Sequence, residues 1–247
     1  MFSNQAHFIL LSSFILLFTA CGSVYDQAEV AKVKRVAVVG YTMDYNLSTT
    51  GALKSVFTGG EKKMGMTKVT NKVVETRVSK ASYDYLVKNL KKSGWQVADP
   101  KATAKSPSLK RFYNRRVKTG FLPLQDHHER YKRNGIPRYE TIAGLRGSGE
   151  LSKIAKELKV DALIFVYTDT NIGNPLALIG STNYSSKILF DVYQPRGEKF
   201  ILRMSVQGDS IDEMKDVGSF DNVTQSNSFK GFQKACNKLM SDLKKKI

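Results

Sequence analysis

With 247 residues, 41% of them hydrophobic and 25% charged, the chain is long enough to bury one sizeable core and is too apolar for wholesale disorder. Its 39 Lys and Arg outnumber 22 Asp and Glu. The resulting net charge of +17 points to a polyanionic surface or partner, whether nucleic acid, anionic lipid headgroups or an acidic protein. It has two cysteines, Cys21 and Cys236, more than two hundred residues apart.

The first element in chain order is residues 8–20, FILLSSFILLFTA, thirteen residues without a charge. That length suits the apolar core of an export signal and falls short of the roughly 20 residues of a membrane span. The preceding MFSNQAH contains no Lys or Arg, so positive charge there comes only from the terminal amine and His7. Residues 1–20 therefore read as a signal peptide, and residues 21–32 as a short polar tether to a folded domain over residues 33–247.

That domain opens with VKRVAVVGYTM, a continuous apolar run at residues 33–43 that predicts a strand buried on both faces. From Asn71, the residues Val74, Val78, Ala81, Tyr85 and Leu90 recur at helical spacing. Ser93-Gly94 stops that helix, and a strand follows from Trp95. Leu151, Ile154, Ala155 and Leu158 mark one face of a second helix, and VDALIFVYTDT from Val160 predicts another apolar strand. Two strand-like runs then flank Pro195-Arg196-Gly197, which argues for a hairpin. A last helix runs over residues 225–245, with Phe232, Ala235, Cys236, Leu239, Met240 and Leu243 as its apolar stripe. Cys236 is then a small core residue. The order β-α-β-α-β-β-β-α predicts one α/β (α+β) domain of three layers around a mixed sheet. Asp161 is expected at the start of a strand.

Residues 101–138 interrupt this pattern. They hold eleven Lys and Arg against two acids, Asp126 and Glu129, with Phe112, Tyr113, Phe121 and Tyr131 interspersed. Two readings stand side by side. One is a solvated basic loop. The other is a binding surface for an anionic partner, drawn from Lys110, Arg111, Arg115, Arg116, Lys118, Arg130, Lys132 and Arg133, with the guanidiniums as forked donors to phosphate or carboxylate. Bases interleaved with aromatics would also suit single-stranded nucleic acid, the least favoured partner if the chain is exported.

The sequence carries no G-x-x-x-x-G-K-[ST], G-x-S-x-G, H-E-x-x-H or C-x-x-C. Asp126, His127 and His128 are the one weak metal-binding grouping, and adjacent histidines on a strand point to opposite faces. No catalytic residue, cofactor, metal site or small-molecule substrate is assigned.

Phe18-Thr19-Ala20-Cys21 resembles the lipobox of bacterial lipoproteins, with Phe where Leu is favoured. The resemblance implies cleavage before Cys21, diacylglycerol on its thiol and an acyl chain on the new amine. Several chains at about 0.8 kcal/mol per buried methylene make a durable anchor. Gly22 in place of Asp favours the outer membrane, facing the periplasm. A second resemblance rests on VKRVAVVGY, SGWQVADP and LSKIAKELKVDALIFV. These are similar to the lipoprotein group that includes the curli-secretion lipoprotein CsgG, the penicillin-binding-protein activator LpoB and the TolB amino-terminal domain. That resemblance implies the fold. The lipobox-like Cys21, the missing catalytic motifs and the basic segment together lead to the expectation of a non-enzymatic binding or assembly factor, membrane-held, that docks to an envelope protein or an anionic envelope polymer. The alternatives are an oligomeric secretion or transport component of the curli-exporter type and a basic nucleic-acid-binding protein.

Overall fold

The computed structural model describes residues 24–48, 66–113, 135–173, 182–213 and 220–247. At its centre lies β1 (Arg35–Ser48), whose Val36, Ala37, Val38 and Val39 are at most 2% exposed. A strand apolar on both faces needs cover on both faces, and two layers of helices supply it. The chain enters through a short α1 (Gln27–Val30) and leaves β1 for the long α2 (Met66–Lys91). It returns as β2 (Gln96–Val97) and then passes through α3 (Pro100–Lys105), α4 (Pro107–Tyr113), α5 (Tyr139–Ala143) and α6 (Glu150–Leu158). β3 (Ala162–Gly173), β4 (Thr182–Gln194), β5 (Lys199–Gln207), β6 (Ile211–Glu213) and α7 (Phe220–Lys244) complete it.

The sheet order is β2-β1-β3-β4-β5, with β6 paired to the start of β4. β1 runs parallel to both β2 and β3, and β4 and β5 are antiparallel additions. α2 and α7 lie on one face. Tyr41 of β1 meets Tyr83 of α2 edge-on at 5.3 Å, and the Tyr85 hydroxyl donates to Asn237 of α7 at 2.8 Å. α5 sits on the other face, against Phe165 of β3. The predicted α+β, three-layer mixed-sheet fold is therefore the one observed, and the hairpin around Pro195-Arg196-Gly197 joins β4 to β5 as expected.

Several details follow from local chemistry. The apolar stripe of α7 is buried as its periodicity predicts, and desolvation pushes the Cys236 thiol up to about 12. Asp161 marks the start of β3 and does more: its carboxylate accepts from the backbone N–H of Lys34 at 3.0 Å and of Arg35 at 2.8 Å, fixing the start of β1 beside it. In α2 the buried face is Val78, Ser79, Ser82, Tyr83, Leu86, Val87 and Leu90, while Ala81 and Tyr85 are half-buried. The hydrophobic stripe read from the sequence is thus rotated, because small serines face the packed neighbours.

Two boundaries need correction. Residues 24–32, read as part of a tether, pack against the sheet. Asp26 N donates to Ile201 O and Arg203 N to Val24 O, both at 2.8 Å, so the segment adds a bridge to the edge of β5. Asp26 also caps α1 through Glu29 N and pairs with Lys199 at 2.8 Å. The basic interruption at 101–138 is likewise structured at both described ends. Ser106 accepts from Leu109 N at 3.1 Å ahead of Pro107 at the first helical position, and Leu109, Phe112 and Ile136 are buried.

α7 closes on the sheet at Gly208, where a Cβ would stand 2.7 Å from the Ala235 nitrogen and 2.9 Å from its Cα. Backbone cannot yield as a side chain does. Gly208→Ala is expected to lower stability by about 2 kcal/mol, read as a shift in the urea midpoint at unchanged m-value.

Candidate functional site

Asp191 breaks the apolar run ILFDVY of β4 and is 1% exposed. A buried carboxylate needs partners. Arg203, directly across on β5, donates from Nε to Oδ1 at 2.9 Å and from a terminal nitrogen to Oδ2 at 3.0 Å, a bidentate pair. The Tyr139 hydroxyl donates to Oδ2 at 2.8 Å from α5.

Gly40 makes that reach possible. A Cβ there would lie 3.0 Å from Phe165 Cδ1 and 3.2 Å from Tyr139 Cα. Without it, α5 settles directly on β1. Tyr41 N donates to Pro137 O at 3.0 Å, and Thr42 Oγ1 accepts from Tyr139 N at 3.1 Å while donating to Glu140 at 3.0 Å. A strand side chain thereby satisfies the first turn of the helix. Arg138 pairs with the same Glu140 at 3.4 Å.

Around Asp191 the aromatic rings interlock. Phe165, Tyr193 and Phe200 meet edge-to-face, with centroids 5.5 to 6.3 Å apart. Two guanidiniums flank Phe200, Arg203 at 4.6 Å and Arg146 at 5.2 Å from the ring centroid. Arg146 is exposed and anchored by its Nε to Ala143 O at 3.0 Å. Beyond Tyr139 the network continues to Tyr167, whose hydroxyl donates to Asp44 at 2.9 Å. The result is a polar ledge on the helix-poor end of one sheet face, with a rigid half-exposed Arg203 and an exposed Arg146 on a shared aromatic seat.

Burial, then the negative charge of Asp191 and the hydrogen bond to it, pushes the Tyr139 phenol up to about 12. Burial beside Asp44 raises Tyr167 further. Both phenols are donors near neutral pH. With the Arg203 fork taken by Asp191, what the ledge presents is the exposed Arg146 guanidinium on an aromatic face, a chemistry suited to meeting a carboxylate or phosphate.

Of the site residues read from the sequence, Lys110 and Arg111 lie in α4 and are exposed. Arg111 pairs with Glu150 at 2.7 Å, contacts Ser108 Oγ at 3.3 Å and sits 5.8 Å from the Phe112 centroid. Cys21, Arg115, Arg116, Lys118, Arg130, Lys132 and Arg133 lie outside the described residues, as do Asp126, His127 and His128. Beneath α4, Glu157 takes hydrogen bonds from the hydroxyls of Ser106 and Ser108 and from Ser108 N. Desolvation works to raise its pKa, and those bonds together outweigh it and hold the carboxyl low. The ledge was missed by sequence reading, although the lone acid inside ILFDVY was its signal. Among the described residues no group of three His, Cys, Asp or Glu could hold a metal ion, and no helix is long and apolar enough to cross a membrane.

No family model and no curated protein matches the chain. Among solved structures, the chain is similar to a lipoprotein from Neisseria meningitidis at 10% identity and a TM-score of 0.32, covering 78% of this chain and 94% of that one. It is also similar to the LpoB C-terminal domain from Salmonella enterica, at 8% identity and a TM-score of 0.24, covering 76% and 95% respectively. Overlaps this loose do not transfer a function.

Two outcomes follow from the ledge. Arg203→Ala removes both guanidinium hydrogen bonds from the buried Asp191 carboxylate, keeps the one from Tyr139, and should cost about 2 kcal/mol in chemical denaturation, more than an exposed arginine would. Tyr139 has a folded pKa above its unfolded value, so its stabilising effect is complete below pH 10 and is lost as pH rises towards about 12. The urea midpoint should fall across that interval, and Tyr139→Phe should make the fall shallower.

Proposed function

We propose that this chain is an envelope lipoprotein, held by acyl chains on Cys21, that acts without catalysis as a binding or assembly factor. Its partner is an envelope protein or an anionic envelope polymer. The observation that carries the binding role is the exposed Arg146 guanidinium stacked on Phe200 beside the Arg203–Asp191 pair. A guanidinium seated on an aromatic face loses little further rotamer freedom when it meets a carboxylate or phosphate. The net charge of +17 draws such a partner in, and the basic segment that includes Lys110 and Arg111 extends the same field.

Anchoring is supported by the lipobox-like Phe18-Thr19-Ala20-Cys21 after thirteen uncharged residues. The placement follows from it: outer membrane, periplasmic side, with Gly22 after the acylated cysteine.

Two measurements test the proposal. Intact mass spectrometry of protein from its native membrane should give a chain that begins at Cys21 and carries acyl mass. An intact Met1 amino terminus on an unmodified chain would sink the anchor. Binding of the full chain to isolated cell-wall sacculi should weaken about tenfold with Arg146→Glu, the equivalent of 1.4 kcal/mol. Undiminished binding and undiminished partner cross-linking by that variant would remove the ledge from the proposal.

A further inference from the structure

Three large hydrophobic residues are exposed among the described residues: Val24 at 36%, Tyr25 at 36% and Ile247 at 39%. They converge on one place. The Tyr25 hydroxyl donates to Lys246 O at 2.9 Å, and the Lys246 ammonium lies 4.0 Å from the Tyr25 ring centroid. Ile247 follows directly and bonds back to Leu243. Lys244 and Lys245 are exposed on the preceding turn, Lys245 paired with Asp242 at 3.2 Å. Aliphatic residues, a tyrosine with an accessible rim and flexible lysines are the composition of a surface that rests at a lipid–water boundary.

Chain length ties this patch to the anchor. Val24 is three residues from Cys21, so even a fully extended chain would place the Cys21 Cα no more than about 11 Å from that of Val24, with the thiol one short side chain further. Val24 is itself fixed, because its carbonyl accepts from Arg203 N at 2.8 Å on the edge of β5. An acylated Cys21 would therefore leave almost no slack, and the domain would meet the bilayer with this end.

We propose that Val24, Tyr25, Ile247 and Lys244, Lys245 and Lys246 form a bilayer-facing surface that seats the domain directly on an anionic lipid surface. This rests on the lipid-anchor reading of Cys21. It fixes an orientation: β5 lies near the lipid, while β2 and α3 lie at the other edge of the sheet, four strand spacings or about 19 Å away. The Arg146–Phe200 ledge, on a sheet face, is left open sideways to a partner.

The test uses the full chain, purified from its membrane and reconstituted in phosphatidylcholine vesicles with or without phosphatidylglycerol. A fluorophore is placed on Ile247→Cys or on Lys101→Cys, an exposed position in α3. Cys236 is buried and stays unlabelled, and an acylated Cys21 has no free thiol. Where Cys21 proves unacylated, the labelled chains are remade with Cys21→Ser so that the label reports one position. Spin-labelled lipid should quench the label at 247 at least threefold more than the label at 101. Lys244→Glu, Lys245→Glu and Lys246→Glu together should halve the quenching at 247 in phosphatidylglycerol vesicles while leaving circular dichroism unchanged. Intact mass of the same samples reads acylation separately. An acylated chain with equal quenching at both labels overturns the seated surface and leaves the anchor standing. An unacylated chain still quenched at 247 on phosphatidylglycerol supports the surface and overturns the anchor. An unacylated, unquenched chain overturns both.

Discussion

The close approach of residues 137–142 to β1 at Gly40 is the constraint on which the rest depends. A helix ordinarily stands about 10 Å from a sheet because side chains separate them. Here a Cβ at position 40 would already press on Phe165 and on the Tyr139 backbone. Its absence lets α5 lie on the strand, lets Thr42 serve the first turn of that helix, and brings the Tyr139 hydroxyl to Asp191. Register then does the rest. β4 carries Asp191 opposite Phe165, and β5 carries Arg203 opposite Asp191, so one row of side chains across three strands becomes the ledge.

Asp191 also explains why the ledge is stiff. A carboxylate with 1% exposure is tolerable only with its oxygens occupied, and Arg203 and Tyr139 occupy them from two different layers of the fold. Half of the Arg203 side chain remains near solvent, and its plane is spent on the Phe200 ring. A buried pair of this kind adds little net stability, because desolvation of the two charges offsets much of their attraction. This one holds a cation in a defined pose at the surface, where an ordinary arginine would sample many rotamers.

Much of the architecture was legible because it is written in period and punctuation. The run VKRVAVVGY, the stripe from Phe232 to Leu243 and the turn at Pro195-Arg196-Gly197 each encode one local geometry. What was not legible depends on meetings between distant residues. Ser106-Pro107 is a cap signal, yet the excess of basic residues around it read as a loop. Val24, Tyr25 and Asp26 look like tether until β5 offers an edge to pair with. The ledge gathers positions 139, 146, 191, 200 and 203, and one residue of the five, Asp191 within an apolar strand, was anomalous in its own context. In α2, helical spacing gave the right element and part of its buried face, Val78 and Leu90, with Ala81 and Tyr85 at its margin; Ser79 and Ser82 were not counted as residues that could face the interior.

Tyr25 bonds to a residue 221 positions away, Lys34 to one 127 away and Tyr85 to one 152 away. The central strand pair, the second helical layer and the β5 edge all therefore wait for the distal part of the polypeptide. Topology of this kind folds slowly, since long loops must close before their contacts stabilise anything. During synthesis the first half has no complete sheet to collapse onto. Until β3, β4 and α7 have been made, VKRVAVVGY has no complete cover on either face, and the unfinished chain depends on something other than its own fold to shield that run from aggregation.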